Sequence, residues 1–518
     1  MRHILALDAG TGSGRAVIFN ENGQELATAT REWTHKEEIG YPNSMTFERD
    51  KNWGLLVAAI KEVLAKVDSA NIQAISTTSM REGIVVYDQK QNELWACANV
   101  DARAEAQVKE LRAMSGNLES KAYKISGQTF ALGSAPRLLW LKEHKPKLYD
   151  NIAYLAMLSD WVSSRLGAPI ALDPSNGGTT GLFNLKTRNW DLDLAQELGL
   201  RTDYLAAPVY ETGTVIGQVS RQAAKETGLK AGTAIVMGGG DAQLGTVGVG
   251  AVNPNDTAVF GGSFWQQEVN ISKPLEDKTE RIRMNFHAVA NMWQAEAIVF
   301  FPGIAARWFR DFIAPDIKEK AIKQSKDPYE LLEEMAMQAP AGSHGIIPIF
   351  SDAMDYMHWR HAAPSFLNLS LDPDKSGRGV MFRALQENAA IVTLANLNRI
   401  ADITGSFPEE IIFASGAAKG KLWPQILADV LQIPVKTPVV KEATALGAAI
   451  AAGVGVGIYD DMATAAQTLV KWDKVYEPNA TNRDVYQDAF ERWQKSYTAQ
   501  LALADAAITK HLWKAPGE

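Results

Sequence analysis

Short apolar segments that end at glycine, asparagine or aspartate alternate with longer stretches of helical periodicity along most of this chain. The short segments are rich in β-branched residues and are predicted to be strands; they cover residues 3–7, 16–19, 72–76, 84–87, 234–237, 257–260 and 411–414. The longer stretches repeat apolar residues at helical spacing, over residues 50–67, 102–114, 134–143, 381–403, 422–431 and 443–452. This alternation predicts an α/β fold.

The alternation starts over after about residue 250, which divides the chain into two similar parts. A length of 518 residues suits two large domains, so we predict an N-terminal domain at 1–250 and a C-terminal domain at 251–518. The stretches LALDAGTGS and TAVFGGSFW support this division, because each runs a strand into a turn of small residues. The last segment, residues 485–513, has a helical pattern and is predicted to pack back on the body.

Composition and charge exclude several classes of partner. No run of about 18 uncharged apolar residues occurs, so we expect a cytoplasmic protein that does not span a membrane. The net charge is −8 and there is no long basic patch, which makes nucleic acid a poor partner. Cys97, the single cysteine, leaves no internal disulfide. Small molecules are therefore the expected partners. His358 and His361 lack an acidic third ligand at helical spacing, so we expect no metal site at these histidines.

The first glycine-rich turn follows the first predicted strand. Its glycines, at positions 10, 12 and 14, have neither the spacing of the dinucleotide fingerprint nor that of a Walker A loop. A hairpin turn remains, whose N–H groups could receive phosphate oxygens together with the side chains of Thr11, Ser13 and Arg15. Asp8, at the end of the strand, is suited to hold hydrated Mg²⁺. An ordinary structural turn is the alternative.

Three further glycine-rich loops follow predicted strands. In GGGDAQLG, Asp241 stands at a strand end, where a carboxylate can accept a proton from a substrate hydroxyl; its alternative role is a helix N-cap. FGGSFWQQ contributes Ser263, and ASGAAKGKLW offers bare backbone against which a purine could lie. Four such loops divided between two domains predict a ligand cleft between those domains.

Six motifs resemble, in their order and spacing, those of the FGGY carbohydrate kinases. They are DAGTGSGR (8–15), MRE (80–82), DAR (101–103), GGDAQ (239–243), GGS (261–263) and the segment 416–429. The resemblance covers essentially the whole chain. It implies two domains of the actin and hexokinase type (ribonuclease H-like), with a catalytic cleft between them in which ATP, together with Mg²⁺, meets the sugar.

The resemblance assigns roles to residues at the matching positions. It implies that Asp241 is the general base toward the acceptor hydroxyl, and that Asp8, through water, and Asp241 hold the metal. The implied acceptor-binding residues are Arg81, Glu82, Asn99, Leu132, Asp241, Gln243 and Gln266. The implied ATP-binding residues are Thr11, Ser13, Arg15, Gly262, Ser263, Gly303, Gly416 and Ala417.

Three of these residues depart from the family pattern and bear on the acceptor. Asn99 stands where glycerol kinases and xylulokinases have tryptophan, Leu132 where glycerol kinases have tyrosine, and Gln266 where a phenylalanine is usual. Amides in place of rings favour an acceptor with several oxygens over glycerol. Longer stretches, such as DPSNGGTTGL and PIFSD, resemble the branch of the family that phosphorylates the terminal hydroxyl of linear 4,5-dihydroxy-2,3-pentanedione, a bacterial quorum-sensing signal.

Two other interpretations stay open. A pentulose kinase is the nearest alternative within the class. A non-catalytic, actin-like nucleotide sensor is the alternative from another class, although a sensor has no need of a base toward the sugar. Because some relatives in the family are controlled by phosphotransferase-system proteins, such a protein is a candidate regulatory partner, and a homodimer is a candidate assembly.

Overall fold

The computed structural model describes residues 2–114 and 116–518. The strands of the first half are β1 (His3–Ala9), β2 (Ser13–Asn20), β3 (Glu25–Glu32), β4 (Lys36–Glu38), β5 (Tyr41–Thr46), β6 (Ile72–Ser79), β7 (Ile84–Tyr87), β8 (Glu93–Cys97), β9 (Tyr154–Met157), β10 (Phe183–Asn184), β11 (Asn189–Trp190), β12 (Val215–Gln218) and β13 (Ala234–Gly240). Its helices are α1 (Arg49–Leu64), α2 (Glu105–Ala113), α3 (Leu118–Ser126), α4 (Ser134–His144), α5 (Pro146–Asp150), α6 (Leu158–Leu166), α7 (Pro174–Gly177), α8 (Leu192–Glu197), α9 (Arg221–Thr227) and α10 (Asp241–Gly248).

The second half repeats this mixture of strands and helices. Its strands are β14 (Thr257–Gly261), β15 (Trp265–Ile271), β16 (Arg283–Phe286), β17 (Trp293–Val299), β18 (Ile347–Ile349), β19 (Arg360–His361), β20 (Ser365–Leu367), β21 (Ile411–Ala414), β22 (Val435–Pro438), β23 (Trp472–Tyr476) and β24 (Trp513–Lys514). Its helices are α11 (Pro302–Trp308), α12 (Pro315–Lys323), α13 (Pro328–Ala336), α14 (Pro373–Ser376), α15 (Arg378–Thr404), α16 (Leu422–Leu431), α17 (Ala443–Gly455), α18 (Met462–Leu469) and α19 (Arg483–Asp505).

Each half is built on a central sheet with the same strand arrangement. The first sheet has the order β12-β13-β6-β1-β2-β3, in which β1, β2 and β3 form an antiparallel meander and β6 and β13 run parallel to β1. The second has the order β16-β17-β15-β14-β21-β22-β23, in which β14, β15 and β17 form the meander and β21 and β22 run parallel to β14. The predicted α/β fold of two actin and hexokinase-like units is confirmed.

Two helices cross where the halves join. A Cβ atom on Gly248 of α10 would lie 1.8 Å from the carbonyl oxygen of Ala443, and one on Gly447 of α17 would lie 1.9 Å from that of Leu244. Only glycine allows such close backbone contact. Although α17 belongs to the second half of the sequence, it packs on β1, β6 and β13 of the first sheet. The domain boundary at residue 250 stays a prediction.

The predicted strands and helices are present with shifted ends, apart from one clear error at the last helix. The pattern over residues 485–513 predicted one helix, but α19 ends at Asp505. Ala507 takes the left-handed conformation with φ 57°, and the N–H of Ile508 donates to the carbonyl of Leu503, which is the six-to-one bond that terminates many helices. Trp513 then pairs with His361 as a strand. Among the described helices, none has the length and apolar character needed to cross a bilayer.

Candidate active site

The carboxylate of Asp8 lies at the end of β1, opposite Arg15 in the β1–β2 ladder. Its Oδ1 atom is buried and makes no hydrogen bond within residues 2–114 and 116–518. Burial, with the negative charge of Asp241 as the second cause, raises the pKa of Asp8 to about 7. A buried carboxylate oxygen without a donor is costly alone and is suited to a cation.

The turn after Asp8 is fixed by its own backbone and by Trp33. The N–H of Gly10 donates to the carbonyl of Ser13 at 2.9 Å, and Trp33 Nε1 donates to the carbonyl of Gly10 at 3.0 Å. A Cβ atom on Gly14 would lie 2.4 Å from the Trp33 ring, so this glycine makes room for packing rather than for a ligand. Of the predicted phosphate-binding side chains, Thr11 is exposed and Ser13 is half-buried.

Arg15, also predicted to bind phosphate, has protein partners in the structure. Its Nη1 atom lies 2.6 Å from Oε2 of Glu442, directly before α17, and its Nε atom donates to Thr30. The ion pair joins the first hairpin to the second half of the chain. Since 32% of the Arg15 side chain is exposed, the guanidinium still borders solvent beside the turn.

Asp241 is the first residue of α10 and directly follows β13. The N-cap is Gly240, so the alternative interpretation of Asp241 as the cap is wrong; its Oδ1 accepts from the N–H of Ala242. The side chain is 39% exposed, and its Oδ1 atom lies 3.8 Å from Nε of Arg81. Partial burial raises the pKa of Asp241 to about 6, while the Arg81 charge opposes this rise. Such a group is ionised at neutral pH and can still accept a proton.

Asp8 and Asp241 lie at the same edge of the first sheet. Strand β6 separates β1 from β13, and Thr78 of β6 is opposite Asp8 on one side and Gly239 on the other. The described residues contain no cluster of three or more His, Cys, Asp and Glu side chains placed to hold a metal. Two carboxylates at one strand edge nevertheless fit Mg²⁺, which prefers few protein ligands and keeps water and phosphate oxygens as the others.

Arg81 and Glu82, predicted to bind the acceptor, both have buried partners from the second half. Arg81 donates to the carboxylate of Glu296, and Arg283 Nη2 lies 2.5 Å from Oε1 of Glu82. Glu82 also has a φ of 58°, a conformation that costs energy for a residue other than glycine and is common at functional sites. These side chains lie next to Asp241, but protein partners already hold them.

Arg137 is a residue whose role the sequence analysis missed. Its guanidinium is buried and donates to the backbone carbonyls of Glu82, Asn99 and Asp101. One side chain therefore fixes three loop segments around the predicted acceptor site. A charged residue inside the apolar helical segment SAPRLLWL was the available signal.

The remaining acceptor-side residues occupy different environments. Asn99 donates to the hydroxyl of Thr11 at 3.2 Å, which places it beside the first turn. Gln243 is fully buried, and within the described chain neither atom of its amide has a hydrogen-bond partner. Leu132 is half-buried against the main hydrophobic core. Gln266 is half-buried on β15, opposite Ile298 of β17.

The predicted ATP-binding residues of the second half come together at the turn after β14. A Cβ atom on Gly303 would lie 2.3 Å from the carbonyl oxygen of Gly262, and one on Gly416 would lie 3.8 Å from that of Gly261. Ala417 contacts Gly261 as well, because a Cβ on that glycine would lie 2.8 Å from the Ala417 methyl group. Ser263 is exposed at the tip of the turn. This turn can therefore present backbone groups and the Ser263 hydroxyl to a nucleotide, and it contains no charged side chain.

Two α/β units of the actin and hexokinase type, with glycine-rich turns at the strand ends of both and carboxylates at those of the first, are the architecture of a class of proteins that includes the sugar kinases. The chain belongs to the FGGY family of carbohydrate kinases. The model of the N-terminal domain of that family matches residues 3–248, and the model of its C-terminal domain matches residues 269–456. Membership makes ATP and a small molecule with an alcohol group its substrates.

Relatives and solved structures agree with this assignment. The chain is 51% identical to an autoinducer-2 kinase of Yersinia enterocolitica over 518 residues, which cover 99% of this chain and 98% of that protein. It is 50% identical to an autoinducer-2 kinase of Klebsiella pneumoniae over 520 residues, covering 100% and 98% of the two chains. The fold matches xylulose kinase from Rhodospirillum rubrum with a TM-score of 0.84 at 23% identity, over 96% of this chain and 99% of that one. Plasmodium falciparum glycerol kinase with ADP matches with a TM-score of 0.83 at 19% identity, over 96% and 98%.

Proposed function

We propose that this protein transfers the γ-phosphoryl group of ATP to the terminal hydroxyl of linear 4,5-dihydroxy-2,3-pentanedione, the open form of autoinducer-2. The observation that carries the proposal is the position of Asp241, at a strand-to-helix junction beside Arg81 and at the same sheet edge as Asp8. Full-length identity of about 50% to proteins named autoinducer-2 kinase supports the choice of acceptor.

Asp241 acts on the acceptor hydroxyl in this proposal. Its carboxylate accepts the hydroxyl proton as the acceptor oxygen forms a bond to the γ-phosphorus, and the bond between that phosphorus and the β-phosphate oxygen breaks to release ADP. Arg81 and Arg137 hold the surrounding loops so that the hydroxyl points at Asp241. Bound Mg²⁺ would be held by Asp8 and Asp241 and would neutralise charge on the phosphates.

Three amide side chains at the predicted acceptor positions support an acceptor with several oxygens. The amides of Asn99 and Gln266 stand where the resemblance to the family implies aromatic rings, and the buried amide of Gln243 has no hydrogen-bond partner among the described residues. Amides in place of rings offer hydrogen-bond donors and acceptors to the oxygens of an acceptor. We therefore expect the pentanedione to be preferred to glycerol.

A panel of acceptors tests the proposal directly. ADP release is measured with ATP and Mg²⁺ and with the pentanedione, xylulose, ribulose or glycerol, against a control with ATP alone. We expect the highest kcat/KM with the pentanedione. A higher value with a pentulose would make the protein a pentulose kinase. ATP binding without transfer to any acceptor would favour the nucleotide sensor instead.

The role of Asp241 is tested by Asp241→Asn, which removes the base and little volume. We expect kcat to fall by about 10²–10⁴-fold, as for the loss of a general base, while the KM for ATP changes by less than about threefold. The acceptor assay measures both quantities. Turnover like that of the wild type would exclude Asp241 as the base.

The proposal also covers the cellular location, the metal and the protein partners. A reaction that retains a signal inside the cell requires a cytoplasmic enzyme, with Mg²⁺ as the metal. A phosphotransferase-system protein as regulator and a homodimer as assembly stay predictions; sedimentation of the purified chain, alone and with such a protein, tests both.

A further inference from the structure

Three ionisable residues lie directly opposite one another on adjacent strands of the second sheet. Arg283 of β16 pairs with Glu296 of β17, and Glu296 pairs with Glu268 of β15. All three side chains are buried, with at most 2% of each exposed. Buried charges of this kind are expensive unless they are paired, so the row requires a partner from elsewhere in the molecule.

The first half supplies that partner through two consecutive residues. Arg81 binds Glu296 with both terminal nitrogens, and Glu82 accepts from Arg283. Asn285 also donates to Glu296 Oε2 at 2.9 Å. The two ion pairs have opposite polarity, so a shift of either half along the sheet would break both.

The third member of the row differs from the other two. Burial and the neighbouring charge of Glu296 raise the pKa of Glu268 well above its usual range, whereas the charges of Arg81 and Arg283 lower that of Glu296 to about 2. Glu296 binds the two arginines directly, and Glu268 does not. Glu268 makes no hydrogen bond to Arg81 within the described residues.

We propose that Glu296 is a positioning residue for the acceptor site, because it holds the Arg81 guanidinium in place beside Asp241. This role rests on the proposed function: Glu296 belongs to the second sheet but affects acceptor binding in the first half through Arg81. In the structure, Arg81 Nε lies 3.8 Å from Asp241 Oδ1, and the far end of the same guanidinium is bound to Glu296.

The test compares Glu296→Gln with Glu268→Gln, two substitutions at paired positions of the same sheet. We expect Glu296→Gln to raise the KM for the acceptor at least about tenfold and to lower kcat, with the KM for ATP changed by less than about twofold. Glu268→Gln removes no contact to Arg81 and should change each constant by less than about threefold. Glu296→Asp keeps the charge and should recover part of the acceptor affinity.

A double substitution keeps the test informative if Glu296→Gln folds poorly. Arg81→Gln with Glu296→Gln removes both members of the ion pair, and the variant should show the same KM for the acceptor as Arg81→Gln alone, because Glu296 acts through Arg81. Equal effects of Glu296→Gln and Glu268→Gln, or an added effect of Glu296→Gln in the Arg81→Gln background, would overturn the inference. Turnover of the pentanedione by the wild-type protein in the same assay tests the proposed function separately. If the wild type shows no turnover, both the proposed function and the inference on Glu296 are wrong.

Discussion

The β1–β2 and β14–β15 hairpins occupy equivalent positions in the two central sheets, yet their turns are chemically different. The first turn lies between Asp8 and Arg15, and the carboxylate of Asp8 has an oxygen without a hydrogen bond in the described chain. The second turn contains no charged residue, and its backbone is touched by Gly303 and Ala417. The same supersecondary unit thus provides charge in one half and close backbone approach in the other.

This difference between the two turns corresponds to the difference between the triphosphate and the nucleoside parts of ATP. Phosphates and their metal require charged groups that neutralise them, whereas a base or a phosphate can lie against bare backbone where no side chain intervenes. We therefore propose that the first turn binds the metal and the terminal phosphate, and that the second turn binds the rest of the nucleotide. Each half of that assignment can be tested by a matched pair of substitutions.

The largest difference is expected between Asp8→Asn and Ser263→Ala. Loss of the Asp8 charge should lower kcat about 10²–10³-fold, a typical cost of removing one group that stabilises transition-state charge, and should raise the Mg²⁺ concentration needed for half activity. Ser263 supplies a single exposed hydroxyl, so its loss should cost less than about tenfold. Steady-state kinetics over a Mg²⁺ series measures both. A larger effect for Ser263→Ala would reverse the assignment of the two turns.

The next difference concerns backbone approach, through Gly303→Ala and Gly12→Ala. A methyl group on Gly303 would lie 2.3 Å from the carbonyl oxygen of Gly262, whereas one on Gly12 would meet nothing within 4 Å. Overpacking of about 1–3 kcal/mol should displace the second turn and raise the KM for ATP roughly tenfold. Gly12→Ala should change it by less than about threefold. Equal values for the two variants would show that the second turn does not approach the nucleotide.

The sequence predicted the local part of this site and missed the long-range part. Asp8, Asp241 and the glycine-rich turns were predicted because each motif lies within a few residues of a strand end, where pattern and chemistry coincide. Arg15 was predicted only as a phosphate ligand, since its partner Glu442 is 427 residues away along the chain. The pairing of Arg81 with Glu296, separated by 215 residues, likewise depends on how the two halves pack.

The same distinction holds for the fold. Strands β1, β2, β6 and β13 of the first sheet and β14 and β21 of the second were predicted from short apolar segments, because burial on both faces leaves a continuous apolar run. The remaining strands of the two sheets were not predicted. The end of α19 was not predicted either, because the left-handed residue there is Ala507 rather than a glycine, and because β24 forms only by pairing with a distant strand. Local propensity therefore predicted part of each sheet, whereas tertiary contacts determine the remaining strands and the end of the last helix.

A smaller difference between the turns should appear in stability as a function of pH, without any ligand. The folded-state pKa of Asp8, about 7, lies above the ordinary value because the ionised form is buried near Asp241. The folded protein therefore loses stability as pH rises from 3.8, the ordinary pKa, to about 7, and protonation removes this cost at low pH. Asp8→Asn should gain about 1–3 °C in Tm over the wild type between pH 5 and pH 8.

Ser263→Ala is the control for this measurement, since its turn has no titrating group. Its Tm should stay parallel to that of the wild type across the same pH range. If the difference in Tm between Asp8→Asn and the wild type did not change with pH, the pKa of Asp8 would not be raised in the folded protein.

The smallest expected effect comes from the ion pair that ties the first hairpin to α17. Arg15 and Glu442 lie 2.6 Å apart with 32% and 24% of their side chains exposed, and pairs exposed to this degree contribute at most about 1 kcal/mol. Glu442→Gln should lower Tm by less than about 2 °C, and 1 M salt should reduce the difference because it screens the pair.

A matched pair that stays within the second half separates stability from function. Lys436 and Glu410 also lie 2.6 Å apart with part of each side chain exposed, but they lie far from the first turn in sequence and do not join the two halves. Glu410→Gln should lower Tm to a similar extent and leave the KM for ATP unchanged. Glu442→Gln should change that KM about two- to threefold, because it frees Arg15 beside the turn that we assign to the terminal phosphate. If both variants left it unchanged, Arg15 would serve only to join the halves, and Asp8 would be the sole charged side chain of the first turn with a role in the reaction.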